Sequence, residues 1–328
     1  MHKNITILTT GGTIAGSGSL ANQAKYNSAT ISAKELINNV SEVNKLANIK
    51  CEELFSVASQ DINDGHWLAL AKRINKILEG DVDGVVVTHG TDTLEETAYF
   101  LNLTIKSSKP VILVGAIRPS TSLSSDGPIN LYNAVALACN DDAKNKGVLV
   151  VMADKIFTGR DISKINAGGV EAFSGANSGI VGHILYGNSK IYYQPTRTHT
   201  TNSEFSVGDL EALPKVDIIY FYSGIDVNLI DCFVKSGSKA IIFAGVGGGN
   251  IPKNALEKLI AASEGGVLIL KSSRTGNGFV SCNIEVEDDK FGFITTDNLS
   301  PQKARILAKL ALCITSNSEQ IKNIFAKY

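Results

Sequence analysis

The sequence predicts an α/β protein of two domains: a larger N-terminal one with a mainly parallel sheet wrapped by helices, and a smaller C-terminal α/β one with its own parallel sheet. Three observations predict it. Short apolar runs rich in Val and Ile alternate with amphipathic stretches at helical spacing. That alternation is interrupted once, over residues 189–214, by a stretch of little periodicity containing Tyr192-Tyr193-Gln194-Pro195. The length of 328 residues exceeds what one hydrophobic core usually serves. The expected division is therefore residues 1–190, a connecting segment 191–213, and residues 214–328.

In the first part, strands are expected at 4–9, 53–58, 84–88, 110–115 and 147–153. Between them, Trp67, Ala71, Ile74 and Leu78 fall at helical spacing, as do Leu94, Ala98, Leu101 and Ile105, so both series read as core faces of helices. In the second part, strands are expected at 217–222, 239–244 and 267–271. Ser300-Pro301 then supplies a cap and a first-turn proline for a last helix, with Leu307, Leu310, Ala311 and Ile314 as its buried stripe.

Composition excludes several classes of function. Hydrophobic residues make up 44% and charged residues 19%, an ordinary globular balance. The 31 basic and 32 acidic residues leave a formal charge of −1 with no long run of either sign, so neither nucleic acid nor a membrane surface is an expected partner. No apolar stretch approaches the ~20 residues of a membrane span. The five cysteines are scattered without CxxC spacing and read as small buried apolar residues; with five histidines and no ligand spacing, no metal and no cofactor is expected. The N-terminus enters a strand pattern without the apolar core of a signal peptide, which points to the cytoplasm, with the periplasm as the alternative if a leader has been removed.

In parallel sheets, ligands bind where loops leave the carboxyl ends of strands. That rule selects the loop running from Thr9-Thr10-Gly11-Gly12-Thr13 to Ser19, then Ser59-Gln60-Asp61, Thr88-His89-Gly90-Thr91-Asp92-Thr93, and Gly115-Ala116-Ile117-Arg118-Pro119. The first is glycine-rich but fits neither GxGxxG nor GxxxxGK[ST]. Together the four offer threonines, a serine, a glutamine and a carboxylate, an inventory that suits an amino acid better than a dinucleotide.

Thr10-Gly11-Gly12-Thr13-Ile14-Ala15 and Thr88-His89-Gly90-Thr91-Asp92-Thr93-Leu94-Glu95-Glu96-Thr97 are also motifs by which the chain closely resembles the bacterial-type L-asparaginase and glutaminase-asparaginase family. Arg118-Pro119-Ser120 with Asp126-Gly127-Pro128, Gly159-Arg160-Asp161 with Lys164, and Pro301-Gln302-Lys303-Ala304-Arg305 extend the resemblance to nearly the whole chain. It implies hydrolysis of the side-chain amide of L-asparagine to L-aspartate and ammonia through a threonine acyl-enzyme, with lower activity on L-glutamine. It further implies Thr13 as nucleophile and Thr91, Lys164 and Asp92 as a proton-transfer group. Tyr26 corresponds to the loop tyrosine closing over the site, Ser59 and Gln60 to the holders of the substrate's α-carboxylate and amino group, and Ala116 lies among the substrate-binding positions. Asn250 and Glu285 match positions that complete the site of a neighbouring subunit, in a homotetramer built as a pair of intimate dimers.

The chemistry of these residue types agrees. A threonine hydroxyl attacks an amide only with a base beside it, and a lysine serves as that base only where its surroundings stabilise the neutral amine. Backbone amides next to Thr13 and Thr91 are candidate oxyanion donors, because Gly12 and Gly90 permit close approach. Taken singly, Thr13 reads as a loop cap and Lys164 as a solvated lysine; only their joint occurrence with Thr91, Asp92, Ser59 and Gln60 reverses that. His89 reads as a structural histidine beneath its loop, and Gly247-Gly248-Gly249 as a strand-to-helix turn. The family more often carries Asn at Gly248 and Met at Ile117, and some periplasmic relatives have a disulfide near Glu79 and Ser107, which this chain lacks. The rival readings are a glutaminase-asparaginase without preference, since one methylene discriminates by only about 1–3 kcal/mol, and an amino-acid binding protein that kept the pocket.

Overall fold

The computed structural model describes residues 2–18, 26–27, 35 and 38–328, with the backbone alone for Ala15, Ser17, Gly18, Tyr26 and Asn27. The chain divides into two compact units, Met1–Leu210 and Glu211–Tyr328.

The first unit carries strands β1 (Lys3–Gly11), β2 (Ala47–Val57), β3 (Gly84–Thr88), β4 (Val111–Val114), β5 (Val148–Met152), β6 (Lys155–Thr158), β7 (Ile162–Lys164), β8 (Phe173–Gly175), β9 (Gly182–Leu185) and β10 (Asn188–Ile191). Among the described residues, eight of them form one sheet in the order β10-β9-β6-β5-β4-β3-β1-β2. β2, β1, β3, β4 and β5 run parallel, whereas β6, β9 and β10 extend the sheet antiparallel. The strands β3, β4 and β5 are buried at every position, as expected where helices cover both faces. Helix α3 (Gly127–Cys139) packs Leu131, Ala134, Val135 and Ala138 against Ile7, Val86, Ile112 and Val151 on one face. Strand residues of the opposite parity point the other way, toward α1 (Asp64–Leu78) and α2 (Leu94–Thr104), whose Trp67 and Phe100 rings stack at 5.4 Å.

The second unit is sequential. Strands β11 (Val216–Tyr220), β12 (Ala240–Gly245), β13 (Leu268–Ser273) and β14 (Ile294–Thr295) lie side by side, all parallel. They are joined through α4 (Asn228–Lys235) and α5 (Lys253–Glu264) and followed by α6 (Pro301–Leu312) and α7 (Ser318–Lys327). Ile219, Ile241, Phe243, Leu259 and Ile269 form its core.

The α/β class and the two sheets are as the pattern predicted, and the series on α1 and α2 are buried throughout. Five details differ. β2 begins at Ala47, not 53, because residues 47–52 alternate rather than run apolar. The antiparallel extension was not anticipated: Met152 and Lys155 are joined through Ala153 (φ 48°) and Asp154 (φ 61°), a left-handed turn with no glycine to announce it. The stretch read as aperiodic from residue 189 starts inside β10. Helix α6 ends at Leu312, leaving Ile314 half-exposed at 50%, outside the stripe assigned to it. The cysteines are not buried either: Cys232 is exposed and the other four are half-buried.

Beneath the β13 side of the second unit, Lys271 Nζ meets Asp288 Oδ2 at 2.5 Å with both side chains shielded, and the same oxygen accepts the Asn283 amide at 2.7 Å. Removing one partner of such a pair strands the other charge. Asp288→Ala is expected to cost about 3–5 kcal/mol in urea denaturation, and Lys271→Met with Asp288→Leu together to recover at least half of that loss.

Candidate active site

β1 and β3 are neighbours whose onward connections run to opposite sides, β1 to β2 and β3 to β4, so a crevice opens at their carboxyl ends. Three glycines bring the loops there into contact. A Cβ on Gly12, whose φ is +83°, would lie 2.3 Å from both Cα and N of Gly90. A Cβ on Gly90 would lie 2.7 Å from Cβ and Oγ of Ser59, and one on Gly115 would lie 2.9 Å from the His89 carbonyl and 3.0 Å from Thr91 Cγ2. All four loops selected from the sequence thus converge. The Thr10 hydroxyl also donates to the Thr88 carbonyl at 2.8 Å.

Thr13 opens a single 3₁₀ turn, Thr13–Ala15, immediately after Gly12, and is 7% exposed. Thr91 and Ser59 are equally buried, at 6% and 5%. Ser59 ties its turn to the β3 loop, its Oγ accepting the Asp92 amide at 3.2 Å and its carbonyl accepting the Thr93 hydroxyl at 2.7 Å. Lys164 reaches in from β7, which is held by pairing with Phe173 of β8. Its ammonium lies 3.0 Å from Thr91 Oγ1 and 2.6 Å from Asp92 Oδ1. Asp92 is 60% exposed and Gln60 is exposed, so one end of the group faces solvent. Ala116 is fully buried and offers the site only backbone. Tyr26 pairs through its backbone with Gly18; its side chain lies outside the described residues.

In the second unit Asn250 Nδ2 donates to Glu285 Oε1 at 3.1 Å, beside a recess of about 140 Å³ that Lys271, Phe279 and Ile284 also line. The structure therefore groups Thr13, Thr91, Asp92, Lys164, Ser59 and Gln60 within the first unit and pairs Asn250 with Glu285 within the second.

Glu95 is a site residue to which the sequence alone assigns no role. Its carboxylate, 6% exposed, accepts the Lys164 backbone amide at 2.6 Å and so fixes the residue that carries the ammonium. The sequence signal was available: an acid beside Leu94 and three residues before Ala98, on the buried side of a helix. His89 is structural, as read. Its Nδ1 donates to the Gly90 carbonyl at 2.7 Å, which leaves Nε2 to accept the Thr97 hydroxyl at 2.9 Å, and Thr97 in turn accepts from the Trp67 indole at 2.9 Å. Burial pushes His89 down to about 4, against the opposing effect of its bond to the Gly90 carbonyl.

Comparison with known proteins agrees with this arrangement. The Asparaginase, N-terminal family model matches residues 4–197, and the Glutaminase/Asparaginase C-terminal domain model matches residues 215–325. The chain belongs to the asparaginase family. It is 46% identical over 327 residues to L-asparaginase 2 of Escherichia coli, covering 99% of this chain and 93% of that one. It is 44% identical over 328 residues to a glutaminase-asparaginase of Pseudomonas fluorescens, covering 99% and 90%. A crystal structure of a probable cytoplasmic L-asparaginase from Campylobacter jejuni matches with a TM-score of 0.97 at 46% identity, covering 99% of this chain and all of that one. No helix among the described residues of this asparaginase is long and apolar enough to cross a membrane.

The His89 network makes the fold of this family member pH-sensitive on the acid side. The unfolded chain takes up a proton near the ordinary histidine value of about 6.5, the folded one only near 4. The neutral ring's contribution is therefore whole above pH 6.5 and is lost as pH falls toward 4, amounting to about 3 kcal/mol. Urea midpoints measured between pH 7 and 4.5 are expected to fall more steeply for the wild type than for His89→Gln.

Proposed function

We propose that this chain hydrolyses the side-chain amide of L-asparagine to L-aspartate and ammonia through a threonine acyl-enzyme, with lower activity on L-glutamine. The observation that carries the reading is the placement of the Lys164 ammonium between Thr91 Oγ1 and Asp92, on the loop whose Gly90 packs against Gly12, the residue before Thr13.

Thr13 Oγ1 attacks the amide carbon, with Tyr26 of the loop closing over it. As the C–O bond forms, the hydroxyl proton of Thr13 passes to the amide nitrogen, the C–N bond breaks, and ammonia leaves an ester on Thr13. Water then attacks that ester, its proton relayed through Thr91 and the neutral amine of Lys164 and returned to Thr13 Oγ1 as the acyl C–O bond breaks and L-aspartate leaves. Asp92 receives the substrate's ammonium, while Ser59 and Gln60 hold its α-carboxylate and amino group and Ala116 contributes backbone to the substrate wall. Amides next to Thr13 and Thr91 face the developing oxyanion; loss of one such donor costs roughly a hundred- to a thousand-fold in rate.

The hydrogen-bonded pair of Asn250 and Glu285 completes the site of a neighbouring subunit. The working form is then a homotetramer of intimate dimers, with residues 1–190 bearing the nucleophile and residues 214–328 serving the neighbour. Glu285, rather than a smaller residue, crowds a longer substrate and favours asparagine; the relatives named for both amides mark the competing reading. The cytoplasm is the compartment we favour: all five cysteines are free, in keeping with a reducing environment.

Ammonia release from L-asparagine is expected to disappear in Thr13→Ala, while the purified variant keeps the thermal midpoint of the wild type. A well-folded wild-type tetramer that releases no ammonia would move the assignment to an amino-acid binding protein. The ratio of kcat/KM for asparagine over glutamine is expected to exceed 10, within the ~10- to 200-fold that one methylene allows, and to fall in Glu285→Ala; equal values for the two amides in the wild type would remove the preference.

A further inference from the structure

Arg118-Pro119-Ser120 and Asp126-Gly127-Pro128 lie beside the first loop, yet the reaction above gives them nothing to do. Their geometry is directed at one atom. The Gly16 carbonyl accepts two bonds from the same residue, the Ser120 hydroxyl at 2.8 Å and the Ser120 amide at 3.2 Å. Gly16 is the residue that closes the 3₁₀ turn of Thr13, its amide donating to the Thr13 carbonyl at 2.8 Å. A turn fixed at Gly12 by contact with Gly90, and at Gly16 by Ser120, has both ends held.

Ser120 is itself held. The Asp126 carboxylate accepts the Ile117 amide at 3.0 Å on one oxygen and the Arg118 amide at 2.9 Å on the other, with Asn130 Nδ2 as a third donor at 3.1 Å. Asn130 also donates to the Gly115 carbonyl at 3.1 Å, and the Arg118 guanidinium closes the loop from within onto the Ser124 carbonyl and hydroxyl. Ile14, 2% exposed, packs in the same place: a methyl on Gly127 would come within 3.4 Å of both Ile14 and Ala116. The segment from Gly115 to Gly127 is thus a bracket built on the end of β4 and the start of α3, from which the Ser120 hydroxyl reaches the first loop at Gly16.

We propose that Ser120 is a positioning residue for Thr13, holding the 3₁₀ turn through the Gly16 carbonyl so that the Thr13 hydroxyl stands at its attacking distance. The proposal rests on the reading of Thr13 as nucleophile. A neutral hydrogen bond of this kind adds little to the stability of the whole fold, whereas reaction rates are sensitive to small displacements of the attacking atom. Because the Ser120 amide remains in any substitution except proline, the loss is graded rather than complete.

Ser120→Ala, Ser120→Thr and Thr13→Ala are compared with the wild type in steady-state and single-turnover ammonia release from L-asparagine, together with thermal midpoints. The expected result is a three- to tenfold fall in kcat and in the single-turnover rate for Ser120→Ala, with KM within twofold and the midpoint unchanged. Ser120→Thr, which keeps the hydroxyl, is expected to restore kcat to within twofold of the wild type. A wild-type kcat in Ser120→Ala beside an inactive Thr13→Ala overturns the positioning role and leaves the nucleophile standing. Equal losses in the Ala and Thr variants with a lowered midpoint also overturn it, assigning Ser120 to loop stability. An active Thr13→Ala overturns the nucleophile reading and the inference with it.

Discussion

Everything at the site depends on Gly90 having no side chain. It is wedged between Gly12 and Ser59 at separations that a single methyl would violate on either side. Those three residues stand at the ends of β1, β2 and β3, which the sheet order places next to one another. The sheet brings the loops near; the glycines let their backbones touch. The loop around Gly90 is then stiffened from below by the neutral imidazole of His89, whose two nitrogens are committed to Gly90 and Thr97. A charged ring could not accept from Thr97, so the same burial that lowers the histidine's proton affinity also preserves the contact that holds the loop.

Exposure then grades across the site. Thr13, Thr91 and Ser59 present hydroxyls from nearly dry surroundings, whereas Asp92 and Gln60 stand in solvent. Electrostatic contacts are stronger where water is excluded, so reacting groups gain from the buried end. A zwitterionic head group would lose hydration by going there, and it gains from the exposed end instead.

Much of this was legible in the chain because parallel sheets advertise themselves. β3, β4 and β5 are continuous apolar runs, and the loops following strands are polar and glycine-rich, so both the strands and the convergence of four loops could be read directly. What could not be read were features set by tertiary contact. The turn at Ala153-Asp154 takes left-handed backbone without glycine, and the edge strands β9 and β10 alternate weakly, so the antiparallel extension left little pattern. Ile314 has helical spacing but lies past the last turn of α6. Glu95 could be picked out as an acid on the buried side of its helix, but not its partner, a backbone amide 69 residues away; Ser120 was visible only as a motif letter, and no local rule connects it with a carbonyl 104 residues away.

Two lysine–aspartate pairs show how environment divides one chemistry into two jobs. Lys271 and Asp288 are shielded from water, and their separation would leave a charge unsolvated, so the pair is fixed and serves the loop that carries Glu285. Lys164 and Asp92 meet at nearly the same distance, but Asp92 is mostly exposed, and a pair of that kind is worth at most about 1 kcal/mol. Separating such a pair costs little, because water compensates both charges. A buried pair in this position would hold the lysine against any competitor and close the site to a cationic ligand. The two pairs meet at nearly the same distance, and the water around them alone decides which one is fixed and which one is free to exchange its partner.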